Sequence, residues 1–157
     1  MMSIIGEAAT AKVELPEPTT PYVKYNLNSS GDPIKATLVG FTNIPAYLMY
    51  CGLNTSTLRE VDIHSYSNIS RIETYGLKGL RYITDFIIPS TVTYIGAYAF
   101  QAWYGAQNIY CYPVTPPSGD GRPDGHDGLK IYVPAESVDA YKSAWSDHAF
   151  YIYAMEG

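Results

Sequence analysis

Apolar positions along this chain come in short runs, not in long amphipathic stripes. In Ile88-Pro89-Ser90-Thr91-Val92-Thr93-Tyr94-Ile95-Gly96-Ala97-Tyr98-Ala99-Phe100, the apolar places are Ile88, Val92, Ile95 and Phe100. Pro89 and Gly96 mark bends, and Ala97 and Ala99 are small enough for tight stacking. About 23 residues earlier the pattern recurs, with Ile69 for Val92, Ile72 for Ile95, Tyr75 for Tyr98 and Leu77 for Phe100. A fainter copy spans residues 41–50. One such unit cannot bury its apolar edge alone, so units at a fixed period are expected to stack on one another.

The pattern predicts strands at residues 22–27, 36–41, 60–63, 85–88 and 107–110, with short helical or turn segments at 47–51, 75–80 and 98–103. The turn cluster Asn28-Ser29-Ser30-Gly31-Asp32-Pro33 makes the first strand and a second one beginning at Ile34 a hairpin that covers the first unit. Residues 115–128, rich in Gly, Pro and Asp, read as a loop, and 129–133 resume the sheet. A helix of about ten residues opens at Pro134, with Val138, Tyr141 and Trp145 as its buried face. Residues 150–154 close the chain as an edge strand. Residues 1–21 form an extended, Pro-rich arm whose Ile4, Ile5, Val13 and Leu15 could dock on a partner, and 22–157 form the repeat domain.

The 88–100 segment resembles the IPxSVTxIGxxAF signature of BspA-type leucine-rich repeats, and the period falls in the leucine-rich-repeat range of about 20–29 residues. Ile109-Tyr110-Cys111-Tyr112-Pro113-Val114-Thr115-Pro116-Pro117 is similar to that family's final unit, and residues 131–145 to its closing strand and helix. The resemblance spans residues 34–154 and is strongest from residue 80 onward. It implies an α/β repeat fold: a short leucine-rich-repeat solenoid with a parallel sheet, capped by a strand–helix–strand. It also implies surface binding and adhesion without catalytic residues.

Composition sharpens this reading. The 157 residues include 16 Tyr against 4 Phe and 2 Trp. Tyrosine gives contact area with a polar tip, which suits an exposed binding face as well as the rim of a narrow core. Tyr66, Tyr75, Tyr98 and Tyr104 are the candidates for such a face. A net charge of −5, with only 10 basic residues and no basic cluster, argues against nucleic acid and anionic membranes as partners. No apolar run reaches the roughly 18 residues a bilayer requires, so membrane insertion is not expected. The first residues lack the basic and apolar regions of a signal peptide.

Chemistry-bearing clusters are sparse. Asp120, Asp124, His126 and Asp127 are the densest set of metal-capable side chains, but their spacing is not that of an EF-hand, and solvated turns use the same residues. His64, His126 and His148 are far apart. Cys51 and Cys111, in different units, are expected to be free, partly buried thiols, and neither carries a mark of activation. Asp62, Glu73 and Asp85 read as solvent-facing. Catalysis and cofactors are therefore not expected, and a hydrolase using Cys51, Cys111 or Asp124 is the least favoured reading. The expected function is a structural binding protein of a bacteriophage particle, of the decoration or head-fibre type. Its arm would dock on capsid or other virion proteins, and its repeats would meet a protein or glycan of the bacterial surface. The alternative is a bacterial cell-surface adhesin. A homo-oligomer fits either reading.

Overall fold

The computed structural model describes residues 20–48 and 55–156. Ile4, Ile5, Val13, Leu15 and Cys51 lie outside the described residues. Among the described residues the fold is mixed α/β, with mostly parallel pairing, three sheets and few helices.

The described chain opens with a hairpin, β1 (Tyr22–Leu27) against β2 (Pro33–Val39), paired antiparallel as expected. Asn28 shapes the turn: its side-chain oxygen accepts the backbone N–H of Ser30 and of Asp32, each at 2.9 Å. The strand beginning at Pro33 stops at Val39, two residues short of expectation, because Gly40 follows at a φ of 77°. Next in the chain is the two-residue strand β3 (Asn43–Ile44), and then β4 (Glu60–Tyr66), parallel to β2. The hairpin thus supplies a sheet member, with β1 at its edge.

The succeeding strands are β5 (Arg71–Ile72), β6 (Asp85–Ile88), β7 (Tyr94–Ile95) and β8 (Asn108–Cys111). They interleave two ladders. β3, β5 and β7 pair in parallel, with Ile44, Ile72 and Ile95 in register. β6 and β8 pair in parallel, and the same sheet continues through β9 (Lys130–Val133) to β10 (Ile152–Ala154). The step between successive levels is visible in side-chain bonds 23 residues apart: the Thr93 hydroxyl donates to the Ser70 carbonyl, and Asn108 donates to Asp85.

A single parallel sheet was the expectation, but the pairing divides. β4 and β6 run side by side without a shared ladder. Asp62 of β4 was expected to face solvent, yet it is buried, and its Oδ1 accepts the N–H of His64 and of Ser65, each at 2.9 Å. Those bonds fall where the β2–β4 ladder shifts register, between Thr37–Asp62 and Val39–Tyr66.

After β9, a 3-10 turn (Ala135–Ser137) leads into the helix α1 (Val138–Ala144), which together span the predicted helix. Tyr141 and Trp145 are buried, with Val138 half-buried beside them. A second 3-10 turn (Ser146–Tyr151) occupies the first part of the predicted last strand, so β10 is only three residues long. The core lies between the two ladders and under α1. At its centre Phe86, Phe100 and Trp103 meet edge-to-face, with ring centroids 4.9–5.9 Å apart, and Trp103 Nε1 donates to the Leu77 carbonyl at 2.7 Å. Gly96 has a steric reason: a Cβ there would stand 2.5 Å from the Thr74 nitrogen of the preceding level.

Candidate functional site

Parallel pairing in register places like residues side by side. On β8, β9 and β10, Tyr110, Tyr132 and Tyr153 are register partners, and Ile87 of β6 continues the row. Ile109, Ile131 and Ile152 beside them are buried, so the period of two in a strand turns these tyrosines outward. Tyr110 and Tyr132 stack at 5.3 Å with planes 14° apart, and Tyr132 and Tyr153 follow at 6.2 Å and 43°. A polar row runs alongside, with Asp85, Asn108 and Lys130 in register. Asn108 donates to Asp85 at 2.9 Å, and the Lys130 ammonium stands 5.9 Å from the Tyr153 ring.

Two depressions border this face. One, about 340 Å³, lies along the gap between β4 and β6 and includes Arg59, Asp62, His64, Asp85, Ile87 and Tyr110 in its wall. The other, about 310 Å³, is lined by Tyr110, Tyr112, Tyr132, Met155 and Glu156. Tyr110 belongs to both. In the first, His64 Nδ1 stands 3.1 Å from Asp62 Oδ1. Burial pushes the Asp62 carboxyl up, but the hydrogen bonds from Ser65 and His64 outweigh it and hold the group below its ordinary 3.8.

A second column of rings occupies the turns after β3, β5 and β7. Tyr47, Tyr75 and Tyr98 each stand three places after the Ile of a short strand and each take a left-handed backbone, at φ of 60°, 61° and 59°. Their rings stack at 4.9 and 5.2 Å with planes within 16°. The loop after Tyr112 extends this side, since Ser118 bridges Tyr94 in parallel. Beyond Tyr98 a depression of about 390 Å³ is lined by Ala97, Tyr98, Gln101, Asp120, Arg122, Asp124, Asp147 and His148.

Of the predicted face, Tyr75 and Tyr98 are thus brought together. Tyr66 and Tyr104, 68% and 64% exposed, stand outside both columns; Tyr104 instead lies 5.8 Å from the Arg81 guanidinium. Tyr47, Tyr110, Tyr132 and Tyr153 were not anticipated. The signal of the last three was the dipeptide Ile-Tyr, recurring at 109–110, 131–132 and 152–153. Asp120 and Asp124 share a depression that does not include Asp127, and among the described residues no three His, Cys, Asp or Glu stand close enough to share a metal ion. Glu73 is held by Arg71, with contacts at 2.9 and 3.3 Å, which lower its carboxyl. Cys111 is free but wholly buried; burial pushes its thiol up to about 12, so it stays protonated at neutral pH.

No protein-family model matches the chain, and no curated protein matches it. Among the described residues, no helix is long and apolar enough to cross a membrane.

Proposed function

We propose that the chain is a short leucine-rich-repeat solenoid of the BspA type that acts as a non-enzymatic binding module, with residues 22–157 as its repeat domain. The in-register row Ile87, Tyr110, Tyr132 and Tyr153 carries this reading. An aromatic strip with a parallel row of Asp, Asn and Lys suits an extended glycan, whose apolar ring faces pack on tyrosine while its hydroxyls bond the polar row. The levels spaced by about 23 residues and their parallel pairing support the repeat assignment.

On this reading the ligand is a polysaccharide of the bacterial surface. Residues 1–21 fix the module to a bacteriophage particle as a decoration or head-fibre component. Two measurements test it. Binding of the full chain to surface polysaccharide is measured for the wild type and for Tyr132→Ala, where an affinity loss of about tenfold is expected. Equal binding by the variant removes the strip from the account. Co-purification with particles is then compared before and after deletion of residues 1–21. If the intact chain never associates with particles while binding glycan, the cell-surface adhesin replaces the virion component.

A further inference from the structure

We propose that the depression beyond Tyr98 is a monosaccharide site that takes an uncharged or amino-bearing pyranose. It is separate from the sheet face, with which it shares no lining residue, and does not depend on the reading of that face.

The argument starts from the column of rings. Tyr75 covers one face of Tyr98. The level beyond is built by the 118–124 loop: Ile95 donates its N–H to the Ser118 carbonyl at 2.9 Å, and Gly121 donates to the Ile95 carbonyl at 3.1 Å. Only glycine fits at two points of this loop, because a Cβ on Gly119 would stand 2.1 Å from the Ile95 oxygen and one on Gly121 2.2 Å from the Gly96 oxygen. The loop therefore supplies the next level of backbone but no fourth ring. The place where that ring would stack is the depression itself, and Tyr98, 56% exposed, lines it.

The remaining wall is polar in both senses. Asp120, Asp124 and Asp147 offer acceptors, while Gln101 and Arg122 bring donors. Arg122 Nε, shielded from solvent, always donates and has no hydrogen-bond partner; the nearest carboxylate oxygen, on Asp147, stands 4.0 Å away. The same oxygen faces His148 Nδ1 at 3.3 Å, and His148 Nε2 stands 2.8 Å from the Pro123 carbonyl, so this ring is held between two acceptors. The unmet guanidinium donor calls for an acceptor, and a sugar hydroxyl oxygen is one. A pyranose combines an apolar face for Tyr98 with several hydroxyls for the carboxylates. Three carboxylates against one arginine make an acidic sugar unwelcome.

The test is a titration of the full chain, followed by amide NMR shifts, with glucose, galactose, N-acetylglucosamine, glucosamine and glucuronate, and with ethylammonium as a bare cation. At least one uncharged or amino sugar is expected to bind with a dissociation constant of about 1 mM, and glucuronate is expected not to bind. Tyr98→Ala and Gln101→Ala each weaken binding, the first by about tenfold, whereas Tyr132→Ala leaves it unchanged. Should Tyr98→Ala fail to fold, Gln101→Ala decides alone. The proposal is overturned if no sugar binds the folded wild type, if ethylammonium binds as well as glucosamine, if glucuronate binds best, or if Tyr132→Ala abolishes monosaccharide binding.

Discussion

The two tyrosine columns reach a similar ring spacing by opposite backbone routes. Tyr110, Tyr132 and Tyr153 sit on extended strands, where alternation turns them outward at no conformational cost. Tyr47, Tyr75 and Tyr98 sit in turns, in a left-handed conformation that costs an L-residue about 1–2 kcal/mol each. Stacking between neighbours returns about 0.5–1.5 kcal/mol per pair, and three strained residues share only two pairs, so stacking offsets part of the strain. In both columns parallel register sets the ring spacing; what differs is whether the backbone at each ring is relaxed or strained.

That contrast can be broken most strongly at Gly96. Gly96→Ala pushes a methyl into the Thr74 backbone and is expected to destabilise the fold by about 3 kcal/mol in urea unfolding, while a small cost would show that the levels are not closely stacked. On the strand side, the depression that borders Tyr110 also holds the buried Asp62. Asp62→Ala leaves the N–H groups of His64 and Ser65 without their acceptor, for a loss of about 2 kcal/mol. The same carboxylate gives a pH signature. Its folded pKa is depressed, so its contribution is complete above the ordinary value of 3.8 and is lost as the pH falls through the lower folded value. The stability gap between wild type and Asp62→Asn should therefore narrow in that acid window, and a constant gap would count against the ionised carboxylate. Tyr132→Ala removes the central ring of the relaxed column and should cost about 1 kcal/mol with no strain to release. Tyr75→Asn loses stacking but suits φ of 61°, and thermal unfolding should find it within about 0.5 kcal/mol of wild type. A large loss there would mean that stacking outweighs backbone strain.

Much of this was legible in the chain itself. The repeated Ile positions mark Ile72 and Ile95 as inward, though the two-residue strands β5 and β7 that carry them were not anticipated, and the turn chemistry of Asn28 and Gly31 announces the hairpin. Residues 85–88 are a strand as the apolar run requires. Asp62 was misread because its neighbours Val61 and Ile63 make it look like the outward residue of a regular strand; nothing local reveals that its side chain bonds its own backbone. The faces were half legible. Tyr75 and Tyr98 share a place in the repeat, so their pairing follows from the period. Tyr66 and Tyr104 have no counterpart at the same place one level away and join neither stack. The Ile-Tyr dipeptides keep nearly the repeat spacing, but the segments between them, a Gly/Pro/Asp-rich loop and a helix, do not resemble the earlier units, so they were read separately as a last unit and a cap.

In-register pairing also makes the molecule modular in its outward chemistry. A copied segment of about 23 residues, inserted in phase, would add one ring to each column and one place to the polar row without disturbing the levels on either side. The loops between levels absorb differences in length, since the in-register pairs Ile44–Ile72, Ile109–Ile131 and Ile131–Ile152 are separated by unequal stretches of chain and all stay inward. Lineages built this way can change the reach of a surface only in whole steps, like beads added to a string.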